Sequence, residues 1–497
     1  MKKLILAAAM IIAAMMPAAA DLPFRLHRYD AFKATPTGNS SIVFMGNSIT
    51  NMHEWREAFG NDPRIVNRGN SGAVSQELID NIETVIAGQP AKMFLLVGTN
   101  DLGSTDLGVP QAVATNIRTI IERVRSGSPS TELYVQSILP SNAGARNAER
   151  IGLTNRLISQ ECEEAGGTFI DLSKLLADIP TDHSMSYDRL HLTAKAYTAW
   201  CNAIAPYVGV ECTYPDTASA TYSNAGFDNS FGMRVTQWSA AEVTPSDILF
   251  IGDEMIHGGE WHELLGNPDI KNRGTGWGYG GIPLTKWIEA VPAILSDNPE
   301  RKAQPAKIYL YAGVNAAYDG TDFPIFANHY QGLINALRKA APATEINILS
   351  LIPRLDREEN ASRTLPINDR LKALAESNDN VNYIDIYSCL ADPTDHLSAD
   401  TTCIRDNYLY GRGYNRVARV LAPEVGGHAM SADEYEENVK MIEEREALAG
   451  MSDKTIGYEP DATARPGMFD LSGRAIAPAS KPVPGFYIVD GEVTRIR

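Results

Sequence analysis

Six sequence elements recur in the same order in the two halves of this chain, and that repetition constrains its fold more than any other feature. The first half reads SIVFMGNSITNMHEW, VNRGNSG, FLLVGTND, YVQSILP, FIDL and YDRLHLTAKAY. The second reads DILFIGDEMIHGGEW, KNRGTG, YLYAGVNAA, NILSLIP, YIDI and RDNYLYGRGY. Counterparts lie 206 residues apart at Trp55/Trp261, 205 at Gly69/Gly274, 215 at Asn100/Asn315 and 217 at Tyr197/Tyr414, so only short insertions separate the copies. The chain is therefore expected to be a tandem duplication of one unit. The copies differ where chemistry would sit: Glu254 stands opposite Ser48, and Tyr408 opposite His191.

Within copy one, the short apolar runs Ser41–Met45, Met93–Val97, Leu133–Ser137 and Thr168–Asp171 predict buried strands. Helical patterns over Ser75–Ala87, Val109–Arg125, Ala148–Ala165 and Ala194–Val208 fall between or after them. Strands alternating with helices predict an α/β fold, a parallel sheet covered on both faces. An active site in such a sheet lies beyond the carboxyl ends of the strands. The repeat places copy one at residues 21–210, a Ser/Thr/Asn-rich connector at 211–235 and copy two at 236–430.

The chain opens MKKLILAAAMIIAAMMPAAA-D, with two lysines, an apolar run and an Ala-x-Ala site. Residues 1–20 read as a secretory signal peptide, so the protein is expected to be secreted or periplasmic, with display at the cell surface as the alternative. No later segment is long and apolar enough to span a membrane. The formal net charge of −17 argues against nucleic acid or an anionic membrane as partner. Cys162, Cys201, Cys212, Cys389 and Cys403 are odd in number, which leaves at least one thiol unpaired; Cys389 and Cys403 flank a loop and are candidates for a bridge.

An ester hydrolase needs a nucleophile, a base, a group that orients the base, and donors for the oxyanion. Copy one supplies candidates for all four. Ser48, in Gly46-Asn47-Ser48-Ile49-Thr50, follows the first strand directly, where a following helix would expose its hydroxyl. His191, in Asp188-Arg189-Leu190-His191, stands three residues after Asp188, a spacing that lets the carboxylate fold back onto the imidazole. Gly69, after the second strand, could offer a backbone N–H to an oxyanion, and Asn100, after the third, a side-chain amide. Taken singly, each has an ordinary reading as a helix cap, ion pair or turn residue.

In this order, Ser48, Gly69, Asn100 and Asp188-x-x-His191 resemble the four blocks of the SGNH hydrolases, also called the GDSL esterase/lipase family. The resemblance covers residues 42–207, and Asn47 stands where the family more often has Asp. VNRGNSG, FLLVGTNDLG and YVQSILP are most similar to the platelet-activating-factor acetylhydrolase-like and carbohydrate acetylesterase branches. The resemblance implies a flavodoxin-like three-layer α/β/α domain and a Ser48–His191–Asp188 triad. It implies an oxyanion hole of Ser48, Gly69 and Asn100, with no metal or organic cofactor. It also implies hydrolysis of small acyl esters, most plausibly O-acetyl groups on glycans or sialic acid. A lipid deacylase or thioesterase, and a glycan-binding protein with vestigial geometry, are the competing readings.

Copy two keeps Gly274 and Asn315 at the presumed oxyanion positions but has Glu254 for the nucleophile and Tyr408 for the base. A carboxylate there would repel a developing oxyanion. Copy two is thus expected to be a degenerate domain packed on copy one as an internal pseudo-dimer, which lets the chain act as a monomer. Alternatives are a sugar-binding module of Glu254, Asn315, Trp277 and Tyr279, or a hydrolase pairing Glu254 with Asp253 or Asp319. His257-x₄-His262 with Glu263 has metal-site residue types but reads as helix surface. A charged helix is predicted over Ser431–Leu448, within a linker at 431–460. Two or three small strands should follow in 461–497, where FDLSGR and PGFYIV resemble the carboxy-terminal sorting modules of type IX secretion.

Overall fold

The computed structural model describes residues 21–215, 230–275, 282–295, 304–314, 320–405, 408–453, 468–470, 485–489 and 492–496. Residues 1–20, read from the sequence as a signal peptide, lie outside them. The contact pattern divides the chain after Ile442.

The first unit holds two five-stranded parallel sheets of identical topology. In copy one, β1 (Ile42–Gly46), β2 (Ile65–Gly69), β3 (Lys92–Leu96), β4 (Glu132–Gln136) and β5 (Thr168–Ile170) run in the order β2-β1-β3-β4-β5. In copy two, β6 (Ile248–Gly252), β7 (Ile270–Gly274), β8 (Lys307–Tyr311), β9 (Glu345–Leu349) and β10 (Val381–Ile384) run in the order β10-β9-β8-β6-β7, the same arrangement. Register repeats as well: Gly46 pairs with Gly69, and Gly252 with Gly274. Helices cover the sheets, as apolar faces on both sides of a parallel sheet require. The predicted helix over Ser75–Ala87 is two short helices, Ser75–Asp80 and Glu83–Ile86. The first strand of each copy stacks aromatic rings alike: Phe44 on Trp55 at 4.1 Å and Phe94 at 4.9 Å, Phe250 on Trp261 at 5.1 Å and Tyr309 at 4.8 Å.

Each copy is preceded by a helix that straddles both. In helix Asp21–Ala31 and the turn after it, Tyr29 and Phe32 join the core of copy one, while Ala31 and Ala34 join that of copy two. In helix Ser230–Ala240, Phe231, Val235 and Trp238 join the core of copy two, and Ala240 that of copy one. Part of the predicted connector is therefore helix. Sequence reading overlooked this seventh repeated element, although its Arg–x₃–aromatic–x–Ala pattern recurs 206 residues apart (Arg28, Phe32, Ala34; Arg234, Trp238, Ala240).

Between the copies lies a pseudo-two-fold set of buried ion pairs. Arg68 forks onto Glu263 at 2.9 and 2.6 Å, and its counterpart Arg273 onto Glu57 at 2.6 and 2.9 Å. Arg28 pairs with Glu260 and donates to Gly258 O at 2.7 Å; Arg234 pairs with Glu54 at 2.6 Å and donates to Met52 O at 2.8 Å. Arginines buried in this way must be paired, because an uncompensated buried charge costs several kcal/mol.

All five cysteines are free thiols, so the candidate Cys389–Cys403 bridge is not formed; the Cys389 thiol donates to Ile386 O at 3.2 Å. Helix Ala432–Asp453 opens on a reciprocal cap, with Ser431 N–H donating to Glu434 and Glu434 N–H to Ser431 Oγ. It is not a free linker at its start: Tyr435 is buried and Asn438 donates to Lys33 O at 2.7 Å. The second unit, Glu443–Arg497, contains an antiparallel sheet of Met468–Asp470, Gly485–Val489 and Glu492–Ile496 in sequential order. Among the described residues, no helix is long and apolar enough to cross a membrane.

Candidate active site

Strand β1 is buried throughout and ends at Gly46, where a Cβ would lie 2.3 Å from Thr50 Oγ1 and 2.4 Å from Leu96 O. Only glycine lets the chain turn back so tightly. Asn47 caps the single-turn helix Ser48–Asn51 by accepting the Ile49 N–H at 3.0 Å. Ser48 thus stands at the carboxyl end of β1, 7% exposed.

His191 arrives from the far end of the copy. Asp188 Oδ1 accepts the backbone N–H groups of Leu190 at 3.0 Å and His191 at 2.7 Å, closing a tight turn with Arg189 at φ 67°. Ser141 Oγ donates to Arg189 O at 2.8 Å and anchors that turn. The fold-back brings Asp188 Oδ2 to 2.7 Å from His191 Nδ1 and His191 Nε2 to 2.9 Å from Ser48 Oγ. Burial acts to raise the Asp188 carboxyl, but the imidazole and the two N–H donors outweigh it and hold the group at about 2. A carboxylate on Nδ1 fixes the tautomer that leaves Nε2 to accept the Ser48 proton.

The structure does not bring the Gly69 N–H to this site. That N–H donates to Asn67 Oδ1 at 2.8 Å, and the Gly69 carbonyl accepts from Arg28 Nε at 3.2 Å. A Cβ here would lie 2.2 Å from Asn51 N, so Gly69 is glycine because β2 packs against the Ser48–Asn51 helix. Gly274 repeats the arrangement, with its N–H on Asn272 Oδ1 at 2.7 Å and a Cβ position 2.3 Å from His257 N. The available glycine is Gly72, which sequence reading passed over. It lies in the Asn70–Ala73 turn at φ 81°, and among the described residues its N–H has no partner. Asn100 Nδ2 donates to Ala73 O at 2.9 Å, beside Gly72, with a second N–H to spare. The Ser48 N–H likewise has no partner among the described residues. The signal was the left-handed turn position in Asn70-Ser71-Gly72, which favours glycine for conformation rather than packing.

Copy two places Glu254 where copy one has Ser48, at the start of helix Glu254–Gly258. Asp253 is fully buried; it accepts from Ile282 N at 2.9 Å, Val314 N at 3.2 Å and Trp287 Nε1 at 3.3 Å, yet burial outweighs these and raises it to about 6. Among the described residues Glu254 Oε1 is buried without a hydrogen-bond partner, and burial together with the Asp253 charge pushes its carboxyl up to about 8. Tyr408 pairs with Arg405 in a two-residue antiparallel ladder, its ring 5.5 Å from His27. Asn315, Trp277, Tyr279 and Asp319 lie outside the described residues. His257 and His262 are not helix-surface residues: both face the interface, where burial holds them well below the usual imidazole range, and Glu263 is occupied by Arg68.

Residues 44–199 match the model of the GDSL-like Lipase/Acylhydrolase family. Copy one is a domain of that family. This places it among the carboxylic ester hydrolases, and the two-sheet α/β architecture agrees with the fold expected from sequence. No curated protein matches the chain. Similar solved structures include a protein from Streptococcus pneumonia provisionally called a platelet activating factor (26% identity, 41% of this chain and 99% of that one, TM-score 0.36). Others are a GDSL-like lipase from Bacteroides thetaiotaomicron (20%, 36% and 98%, 0.31) and an acetylxylan esterase from Geobacillus stearothermophilus (18%, 36% and 97%, 0.29).

Proposed function

We propose that this protein is an exported serine esterase that removes small acyl groups, with acetyl on a glycan as the favoured substrate, and that copy one carries the chemistry. The observation that carries the reading is the unbroken chain from Ser48 Oγ through His191 to Asp188, at 2.9 and 2.7 Å. Ser48 Oγ attacks the ester carbonyl carbon while His191 Nε2 takes its proton. Asp188 stays ionised and stabilises the imidazolium. The carbonyl oxygen becomes an oxyanion held by the Ser48 N–H, the Gly72 N–H and Asn100 Nδ2. Collapse breaks the ester C–O bond, and the leaving alkoxide takes the proton from His191. A water, deprotonated by the same ring, then attacks the acyl-serine; the acyl C–Oγ bond breaks, Ser48 Oγ takes the proton back from His191, and the carboxylic acid leaves.

The support for a small acyl group on a polar alcohol comes from the sequence. The signal-like leader and the resemblance to carbohydrate acetylesterases favour an extracellular glycan. The test is acetate release from p-nitrophenyl acetate and from O-acetylated sugars by the mature chain, with chain-length variants of the ester. Ser48→Ala should lower kcat by about 10⁴-fold or more. A wild-type protein inert on every acyl chain length would overturn the reading.

A further inference from the structure

We propose that copy two is a working part of the first copy's active site: Arg234, Thr236 and His257 are positioning residues that fix the segments carrying Ser48 and His191. The proposal rests on the esterase reading above.

Ser48 sits on a helix of one turn, Ser48–Asn51. A single turn has too few internal hydrogen bonds to hold itself, so its geometry depends on what grips its end. Met52 N–H donates to Ser48 O at 2.9 Å and closes that turn. Arg234 Nη1 donates to Met52 O at 2.8 Å, while Nη2 is held by Glu54 at 2.6 Å and by Gly274 O at 3.0 Å. One buried guanidinium therefore ties the end of β7 in copy two to the residue that closes the Ser48 turn. Beside it, His257 Nε2 lies within hydrogen-bond distance of Asn51 Oδ1, at 3.2 Å. The same oxygen accepts from Ser71 Oγ at 2.8 Å, next to Gly72.

The His191 side is gripped from the same helix. Ala194, three residues after His191, begins the helix Ala194–Val208, and that helix lacks a side-chain cap of its own. Thr193 Oγ1 is turned away onto Ser184 O at 2.6 Å. The missing cap comes from copy two: Thr236 Oγ1 accepts the Ala194 N–H at 3.0 Å and donates to Met233 O at 2.7 Å. Arg234 and Thr236 are two residues apart on helix Ser230–Ala240, so one rigid element sets the spacing between nucleophile and base. The pseudo-symmetric clamp, Arg28 on Gly258 O, closes the corresponding turn of copy two, which carries Glu254. An ordinary interface would be indifferent to which side is broken; a positioning device would not.

The experiment compares Thr236→Val, Thr236→Ser, Arg234→Met and Arg28→Met in the mature full-length chain. It measures kcat and KM on p-nitrophenyl acetate, the rate of Ser48 labelling by a fluorophosphonate, and the melting temperature. Because small misplacements of reacting groups are costly, Thr236→Val should lose about tenfold and Arg234→Met about 100-fold in both kcat and labelling, with KM within about twofold. Thr236→Ser, which keeps the oxygen, should recover to within about twofold of wild type. Arg28→Met should lower the melting temperature as far as Arg234→Met but lose less than about fivefold in kcat. Thr236→Val and Arg234→Met within twofold of wild type, or Arg28→Met and Arg234→Met losing kcat equally, would overturn the proposal. Should Arg234→Met fail to fold, the Val/Ser pair at 236 decides alone. A wild type that is neither active nor labelled defeats the esterase reading itself, whereas an active wild type with indifferent variants defeats only this inference.

Discussion

Copy one and copy two share strand order, register, aromatic stacking and every charged pair at their interface, yet differ at the ends of the strands where Ser48 and His191 stand against Glu254 and Tyr408. The shared positions are those that hold two copies together. Asn67-Arg68-Gly69 and Asn272-Arg273-Gly274 do the same work: the Asn orders the turn, the Arg crosses to a glutamate, and the Gly permits close approach. Identity between copies therefore marks association, and difference marks chemistry. Gly274 persists in a copy without a serine at that strand end because β7 packs against the helix Glu254–Gly258, not as the remnant of an oxyanion hole.

The largest effect expected after loss of Ser48 itself lies in the donors that copy one alone is proposed to use. Asn100→Ala should lower kcat about 10²–10³-fold with KM little changed, because the amide is needed only once charge develops on the substrate oxygen. Steady-state kinetics on p-nitrophenyl acetate measure this. A loss confined to KM would place Asn100 in ground-state binding instead.

Most of the fold was legible because its signals are local. Apolar runs such as Ile42–Gly46 and long periodic helices such as Val109–Gly127 carry their own pattern. The Asp188-x-x-His191 turn was legible for the same reason, since three residues suffice to close it. What escaped was non-local. The role of Gly69 depends on Asn51 approaching from another segment, and that of His262 on a neighbour 200 residues away, so neither could be read from its own surroundings. The straddling helices were hidden by low similarity: Arg28 and Arg234 repeat, but few of their neighbours do.

A second prediction tests whether the interface is as symmetric in energy as in geometry. Glu57 is buried, and although burial acts to raise its carboxyl, Arg273 outweighs that and holds it below the usual carboxylate range. Glu57→Gln leaves the Arg273 charge uncompensated and should cost about 3–5 kcal/mol of stability. Glu263→Gln should cost a similar amount through Arg68. Denaturant titration of both variants is the check. A cost well under 1 kcal/mol for either would show that water reaches that pair.

The smallest expected effect concerns the carboxyl that replaces the nucleophile. Burial first, and the Asp253 charge second, raise Glu254 to about 8, against an ordinary value of 4.5. Between those two pH values the folded protein holds a proton that the unfolded chain has released. Stability must then fall as pH rises across that window, since the folded state binds the greater number of protons. Asp253, raised to about 6, acts in the same direction over a narrower range. Glu254→Gln removes the larger contribution without changing shape. Its melting temperature should match wild type near pH 4.5 and exceed it by a few degrees near pH 8, where the native carboxyl must either ionise in a dry site or hold its proton against solvent. Calorimetric scans of both proteins across that range decide the matter. Parallel curves would show that Glu254 is hydrated, and that copy two differs from copy one by an open carboxylate rather than a buried acid.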